Sequence, residues 1–234
     1  MAEFRIKPDI EELLAVIRRS SMPKRVHNIE LFLDEEIKQA ICERFEIGAK
    51  IDSRSEFTDV SREIELHRFL GYDVFRIDIG SDWLWTLPRL ATEDTTGTTT
   101  QKRDERNWTD EHTGPVQSWE DFEKYPWPRV SNVDFSKLEW LDKNLPENMG
   151  CYDLTAHILE IVTWLFGYET LCLKLFDDLE LVEAVCERVG QFYVELTKAY
   201  CDFSCNKVVW GSDDMGYQTS TVLSPDFLRR NILP

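Results

Sequence analysis

The stretch from Asn206 to Pro234 constrains the fold more than any other part of the chain. It opens with Lys207–Trp210, a short apolar run rich in β-branched residues, which predicts a buried strand. Asp213 and Asp214 follow that run, and after a polar loop Ser224-Pro225-Asp226 predicts a helix start, with Ser as N-cap and Pro in the first turn. Strand, carboxylates, loop and helix in this order are typical of a βα unit in a (β/α) barrel, where active sites lie at the carboxyl ends of the strands.

Three further segments predict strands. They are Val26–Leu33, Val74–Ile79 and Asn148–Leu154, and we expect the first two to lie parallel to Val208–Trp210 in one sheet. Apolar residues repeat at helical spacing from Asp177 to Phe203, which predicts a long helix packed outside that sheet.

The fold class that these elements favour is α/β, of the (β/α)8 TIM-barrel type. Four candidate strands are present where a complete barrel has eight, and the sequence ends as a helix begins. We therefore expect residues 1–234 to form a single domain that is an incomplete barrel, with its C-terminal strands missing. Residues 87–115 are polar and rich in Thr around Gly97, which predicts a β-hairpin-like excursion from that domain.

The charge of the chain excludes some classes of partner. There are 44 acidic residues against 27 basic ones, a formal net charge of −17. Such a surface repels nucleic acid and anionic membranes, so we expect neither as a partner. The N-terminus lacks the apolar run of a signal peptide, and six cysteines occur without a CxxC motif. These features favour a soluble, cytoplasmic protein with reduced thiols.

Several charged residues stand where a strand would bring them to a cleft. Asp213, at the tip of a predicted strand, is the best-placed catalytic carboxylate, as hydrogen-bond acceptor or general base; the alternative is that it caps the following loop. Glu30 lies in an apolar segment, where a carboxylate must be paired or face a cavity. Arg76 and Asp78 share one face of their strand and form either a structural salt bridge or a substrate clamp.

The second half of the chain resembles the uroporphyrinogen decarboxylase superfamily. The strand that ends in Asp213 and the helix start at Leu223–Phe227 are similar to that family, and so is Gly150–Glu160, which matches its Gly-Pro-x-Thr-Leu segment with the following Tyr and Glu. The resemblance covers most of Gly150 to Pro234 and extends more weakly to Arg25–Phe45 and Asp73–Gly80.

The resemblance implies both the barrel and an enzyme activity. The family's Phe-Asp-Ser tip falls on Ser212-Asp213-Asp214, and the decarboxylase's active-site Tyr falls on His157. Asp213 is thus implied as the catalytic residue, and His157, Asp214, Glu30, Asp78 and Arg76 are expected to bind substrate.

Departures from the family pattern indicate which branch is closest. The decarboxylase's arginine-rich motif is replaced by Arg25–Glu36, which has one Arg and several acids that would repel an octacarboxylate. The resemblance therefore implies a methyltransferase or demethylase that acts on a small methylated substrate together with a corrinoid protein. A porphyrinogen decarboxylase of haem biosynthesis is one alternative, and a non-catalytic barrel fragment or binding module is another.

The family's metal ligands do not occur in this sequence. The methyltransferase branch holds zinc through a His-x-Cys pair and a further Cys, and the chain contains no His-x-Cys. We expect no metal site and no cofactor within residues 1–234. Zinc and a corrinoid partner are expected only for a longer protein.

Overall fold

The computed structural model describes residues 6–30, 33–80, 84–93, 105–110, 112–155 and 157–234. The chain divides into two compact units. The first unit comprises Met1–Gly80, Asp134–Leu154 and Thr197–Trp210, and the second comprises Ser81–Val133, Thr155–Leu196 and Gly211–Pro234. The single-domain organisation expected from the sequence stays a prediction.

The first unit contains a small parallel sheet. Its strands are β1 (Val74–Arg76), β4 (Gly150–Thr155) and β5 (Asn206–Gly211), in the order β1-β4-β5. Val74 pairs with Gly150 in parallel register, and three of the four candidate strands are therefore confirmed. The mixed helix and sheet content confirms the α/β class.

The predicted strand at Val26–Leu33 is wrong for its described part. Residues 26–30 and Leu33 have no strand conformation, and residues 31–32 lie outside the described part of the chain. His27 Nδ1 lies 2.7 Å from the carboxylate of Asp73, and the hydroxyl of Tyr152 donates to the carbonyl of Glu30 at 2.8 Å. Contacts made by side chains, rather than a ladder of backbone hydrogen bonds, hold the described part of this segment.

The described residues of the first unit form four helices that lie wholly within it. They are α1 (Ile10–Ile17), α2 (Glu35–Phe45), α3 (Thr58–Leu70) and α5 (Ser136–Asn144). The carboxylate of Asp9 caps α1 by accepting from the Glu12 N–H, and the apolar face of α1 packs on the sheet. That core consists of Ile10, Leu13, Leu14, Val74 and Tyr152. The pattern is that of an amphipathic helix covering one face of a sheet.

The second unit contains a strand pair and most of the remaining helices. Strands β2 (Arg89–Glu93) and β3 (Glu105–Thr109) pair antiparallel within the segment 87–115, and residues 94–104 lie outside the described part. The helices are α4 (Trp119–Lys124), α6 (Ile158–Phe166), α7 (Tyr168–Asp177), α8 (Leu179–Cys201) and α9 (Pro225–Asn231), with a short 3-10 helix at Val130–Asn132. The last turns of α8 belong to the first unit.

Two predictions for the helices of this region are confirmed. The long helix predicted from Asp177 to Phe203 spans Leu179–Cys201, and Val182, Val185 and Val189 on its apolar stripe are fully buried. Ser224 caps α9 by accepting from the Phe227 N–H at 3.2 Å, with Pro225 as first helical residue.

The junction between α6 and α7 depends on a single glycine. Gly167 has a φ of +80°, and a Cβ at this position would lie 2.3 Å from the carbonyl oxygen of His112. We expect Gly167→Ala to lower the free energy of unfolding by about 2 kcal/mol or more, because it adds both backbone strain and a clash with rigid backbone. Chemical denaturation with circular dichroism detection measures the change.

Gly190 is the matched control for this substitution. It lies inside α8, and a Cβ there would meet nothing within 4 Å. Gly190→Ala should raise the free energy of unfolding by about 0.5–1 kcal/mol, because alanine favours a helix interior over glycine. Equal unfolding midpoints for the two variants would contradict the role assigned to Gly167.

Candidate functional site

The six residues predicted to form the site fall into two groups. Glu30, Arg76 and Asp78 lie in the first unit, and His157, Asp213 and Asp214 lie in the second.

The first group lines a small cavity of about 170 Å³. Lys38 and Glu63 form an ion pair of 2.6 Å beside it, and Asp78 is engaged locally, since its carboxylate accepts from the Gly80 N–H at 2.7 Å. This volume is below the range of about 300–1,000 Å³ that is usual for small-molecule sites. The substrate-binding role expected of Glu30, Arg76 and Asp78 stays a prediction.

In the second unit, His157 is held between a hydroxyl and a carboxylate. It stands two residues after β4, just before α6, and its Nε2 lies 2.9 Å from Ser212 Oγ. Its Nδ1 lies 2.5 Å from the carboxylate of Glu160, one turn further along. When Nδ1–H donates a hydrogen bond to Glu160, Nε2 carries no hydrogen and accepts one from the hydroxyl of Ser212. The array formed by Glu160, His157 and Ser212 thus fixes one tautomer of the imidazole. Such a histidine can accept, hold or release a proton.

Asp213 caps the start of α6. Its carboxylate accepts from the backbone N–H groups of Leu159 and Glu160, at 2.8 and 3.1 Å. These are first-turn amides, which have no acceptor inside the helix. Burial raises the pKa of Asp213, and the two amide hydrogen bonds and His157 oppose that rise in part. Asp213 therefore caps α6, which the sequence did not predict, while both the expected cap on the following loop and the catalytic role stay predictions.

A cleft of about 450 Å³ lies beside this array. Its walls come from α6, from the start of α7 and from the loop after β5, with His112 at its edge. The residues that line it are His112, Leu159, Glu160, Thr163, Trp164, Tyr168, Glu169, Asp214, Tyr217 and Val222. Asp214 therefore faces the cleft directly. His157, Ser212 and Asp213 are not among the lining residues, and His157 is linked to the cleft through Glu160.

Two tyrosines meet at the cleft. The hydroxyls of Tyr168 and Tyr217 lie 3.4 Å apart. The hydrogen bond to Tyr217, together with burial, raises the pKa of Tyr168 to about 12, so this phenol is uncharged at neutral pH. Tyr217 keeps 62% of its surface exposed.

Sequence reasoning missed Ser212, Glu160 and the aromatic wall as site residues. Glu160 had a local signal, because a carboxylate three residues after a histidine lies on the same helix face. Ser212 could be found only through its contact with His157, which is 55 residues away in the chain. Trp164 and Tyr168 lie on helices α6 and α7, and periodicity does not reveal which side chains of a helix border a cleft.

The described residues offer no metal site. Among them, no group of three or more His, Cys, Asp or Glu side chains is arranged to hold a metal ion. A zinc centre like that of the methyltransferase branch is therefore not supported by the donor set in this part of the chain. Within the same ranges, no helix has the length and apolar character needed to cross a bilayer.

Comparisons with protein-family models, with curated proteins and with solved structures find no match to this chain.

Proposed function

We propose that this chain forms part of a (β/α)8-type barrel of the uroporphyrinogen decarboxylase superfamily and belongs to a methyltransferase or demethylase that acts on a small methylated substrate together with a corrinoid protein. One observation carries the proposal. The residues that follow two neighbouring parallel strands, β4 and β5, converge, with His157 Nε2 and Ser212 Oγ 2.9 Å apart. Functional groups at the carboxyl ends of adjacent strands are the arrangement on which barrel enzymes build their sites.

The cleft favours a small substrate over a porphyrinogen. Its volume of about 450 Å³ is in the usual range for small molecules. Glu160, Glu169 and Asp214 all line it, so a substrate with several carboxylates would be repelled by three carboxylates of the same charge. This favours methyl transfer over porphyrinogen decarboxylation.

Demethylation requires a group that can supply a proton. The bond between the methyl carbon and its heteroatom breaks, the electron pair stays on the heteroatom, and the released group takes up a proton. His157, held between Ser212 and Glu160, can hold that proton, and Glu160 connects it to the cleft. A corrinoid on a partner protein would supply the nucleophile that accepts the methyl group. No residue of this chain is assigned to hold it, and no step involves zinc.

A methyl-transfer assay tests the proposal. The purified protein is incubated with free cob(I)alamin and, in turn, with O-, N- and S-methyl compounds, and methylation of the acceptor is followed by its absorbance. We expect protein-dependent transfer from at least one donor class. Glu160→Gln should lower the rate about tenfold or more, because His157 loses a charged hydrogen-bond partner. Glu123→Gln, an exposed control on α4, should leave the rate unchanged.

One result would contradict the proposed function. It is a wild-type protein that is folded by circular dichroism yet transfers no methyl group from any donor above the rate without protein.

A further inference from the structure

Three aromatic side chains line the cleft of the second unit. They are Trp164 on α6, Tyr168 at the start of α7, and Tyr217 in the loop after β5. The contact between the two tyrosine hydroxyls joins α7 to that loop across 3.4 Å. Aromatic rings bordering a concave site offer large apolar area and an electron-rich face that attracts cations.

The same cleft carries an excess of negative charge. Three carboxylates line it, those of Glu160, Glu169 and Asp214, against one histidine, His112, which is exposed at its edge. Tyr168 is uncharged at neutral pH, since its pKa is raised to about 12. An anion would be repelled from this cleft, and a cation would be attracted to it.

Aromatic rings combined with carboxylates select a particular kind of cation. A metal ion needs several oxygen or nitrogen donors in a fixed geometry, and the described residues contain no such group of side chains. A primary ammonium group is strongly hydrated and needs several hydrogen-bond acceptors to replace its water. A methylated ammonium group spreads its charge over apolar methyl groups, and such groups are recognised by aromatic rings.

We infer that this cleft binds a methylated ammonium cation, of the kind that carries a trimethylammonium head group. The role of that cation as the methyl donor rests on the function proposed above. The N–CH3 bond would break with its electron pair left on nitrogen, the methyl group would pass to the nucleophilic acceptor, and the released amine would take up a proton.

The test compares the binding of a cation with that of its uncharged isostere. Isothermal titration calorimetry measures the binding of choline and of 3,3-dimethyl-1-butanol, which has the same shape with carbon in place of the charged nitrogen. We expect choline to bind about tenfold or more tightly than the alcohol, because only the cation gains from the rings and carboxylates.

Two matched pairs of variants locate the binding site. Tyr217→Ala should weaken choline binding about fivefold or more, and Phe176→Ala, which removes a ring that is 90% exposed and does not line the cleft, should leave it unchanged. Glu169→Gln should weaken choline binding without affecting the alcohol, whereas Glu123→Gln should affect neither. Circular dichroism confirms that each variant is folded.

The outcomes separate this inference from the proposed function. Equal binding of choline and the alcohol, no choline binding to the folded wild type, or equal losses in Tyr217→Ala and Phe176→Ala would each overturn the inference. If choline fails to bind while methyl groups are transferred from O-methyl or S-methyl donors, the inference fails and the proposed function stands. If choline binds as expected but no donor yields methyl transfer, the cation site stands and the proposed function fails.

Discussion

Asp73→Ala is expected to lower the free energy of unfolding by about 3–5 kcal/mol, the range for breaking a buried ion pair from one side. Asp73 stands just before β1, and its side chain is fully buried. Its carboxylate accepts from the Asp9 N–H at 2.6 Å, pairs with the guanidinium of Arg25, and lies 2.7 Å from His27 Nδ1. One carboxylate thus joins the start of α1 and the segment at residues 25–27 to the sheet.

The size of the effect follows from what the substitution leaves behind. Arg25 has 22% of its side chain exposed and His27 only 5%, so neither can regain full hydration where it lies. Buried polar groups that lose their partner cost more than the net value of the interaction itself. In Asp73→Ala, either the segment that carries Arg25 and His27 opens to water, or the folded protein is destabilised by these two unpaired polar groups.

Urea denaturation of the wild type and of Asp73→Ala measures this effect. Asp59→Ala is the control, because that side chain is 92% exposed and its contact with Arg62 is a surface ion pair. Surface pairs contribute about 0–1 kcal/mol, so the control should remain close to the wild type. Similar midpoints for Asp73→Ala and Asp59→Ala would show that Asp73 does not organise this region.

Elements with strong local signals could be predicted from the sequence. The helix α9 was predicted from Ser224-Pro225-Asp226, a capping pattern that needs no distant partner. The helix α8 followed from an apolar stripe that is long enough to be unambiguous. In both cases the residues that determine the structure lie within the element itself.

The segment Val26–Leu33 shows where local signals fail. Its apolar residues are compatible with a strand, but its described part is held through His27 and Glu30 by Asp73 and Tyr152, which are distant in the chain. Side-chain contacts across such separations are not encoded in periodicity. The same limit applies to Ser212 and His157, which are in contact although they are 55 residues apart in the chain.

The resemblance to the uroporphyrinogen decarboxylase superfamily indicated two residues of this region, His157 and Asp213, but not the residues that they contact. His157 was singled out by matching the family's positions, and Asp213 both by that match and by its place at the end of a predicted strand; His157 contacts Ser212, and Asp213 contacts the first turn of α6. The resemblance did not indicate that Asp213 holds the backbone of α6. A family pattern identifies positions, whereas the hydrogen bonds that a new side chain makes there depend on this chain alone.

Asp213→Ala is expected to lower the rate of the proposed methyl transfer about 100-fold, whereas Asp214→Ala should lower it far less. Asp213 accepts from the Leu159 and Glu160 amides and so fixes the start of α6, which carries Glu160 and follows His157. A displacement of about 1 Å in a catalytic array can cost about 100-fold in rate. The loss of the cap should also lower the free energy of unfolding by about 1–2 kcal/mol. Asp214 is exposed and accepts from a turn amide, that of Gly216, at 3.3 Å.

Asp213→Asn separates positioning from chemistry. The amide oxygen of Asn can still accept from an α6 amide, but the side chain cannot carry a negative charge or take up a proton. Recovery of most of the rate in Asp213→Asn would assign Asp213 a positioning role. A rate as low as that of Asp213→Ala would show that the carboxylate itself is required. Full activity of Asp213→Ala would contradict both roles.

The pH dependence of stability provides an independent measurement on the same pair of proteins. Burial raises the pKa of Asp213 above its ordinary value of 3.8, so the folded protein binds this proton more tightly than the unfolded chain does. The stabilisation from Asp213 is therefore complete below about pH 3.8 and is lost as the pH rises through the raised pKa. The Asn side chain of Asp213→Asn cannot ionise. The free energy of unfolding of this variant should therefore rise relative to that of the wild type as the pH increases from about 3.8 through the raised pKa. The opposite result, in which the wild type becomes more stable relative to Asp213→Asn as the pH rises, would contradict this direction. It would mean that the two amide hydrogen bonds outweigh burial and that the folded site favours the charged carboxylate.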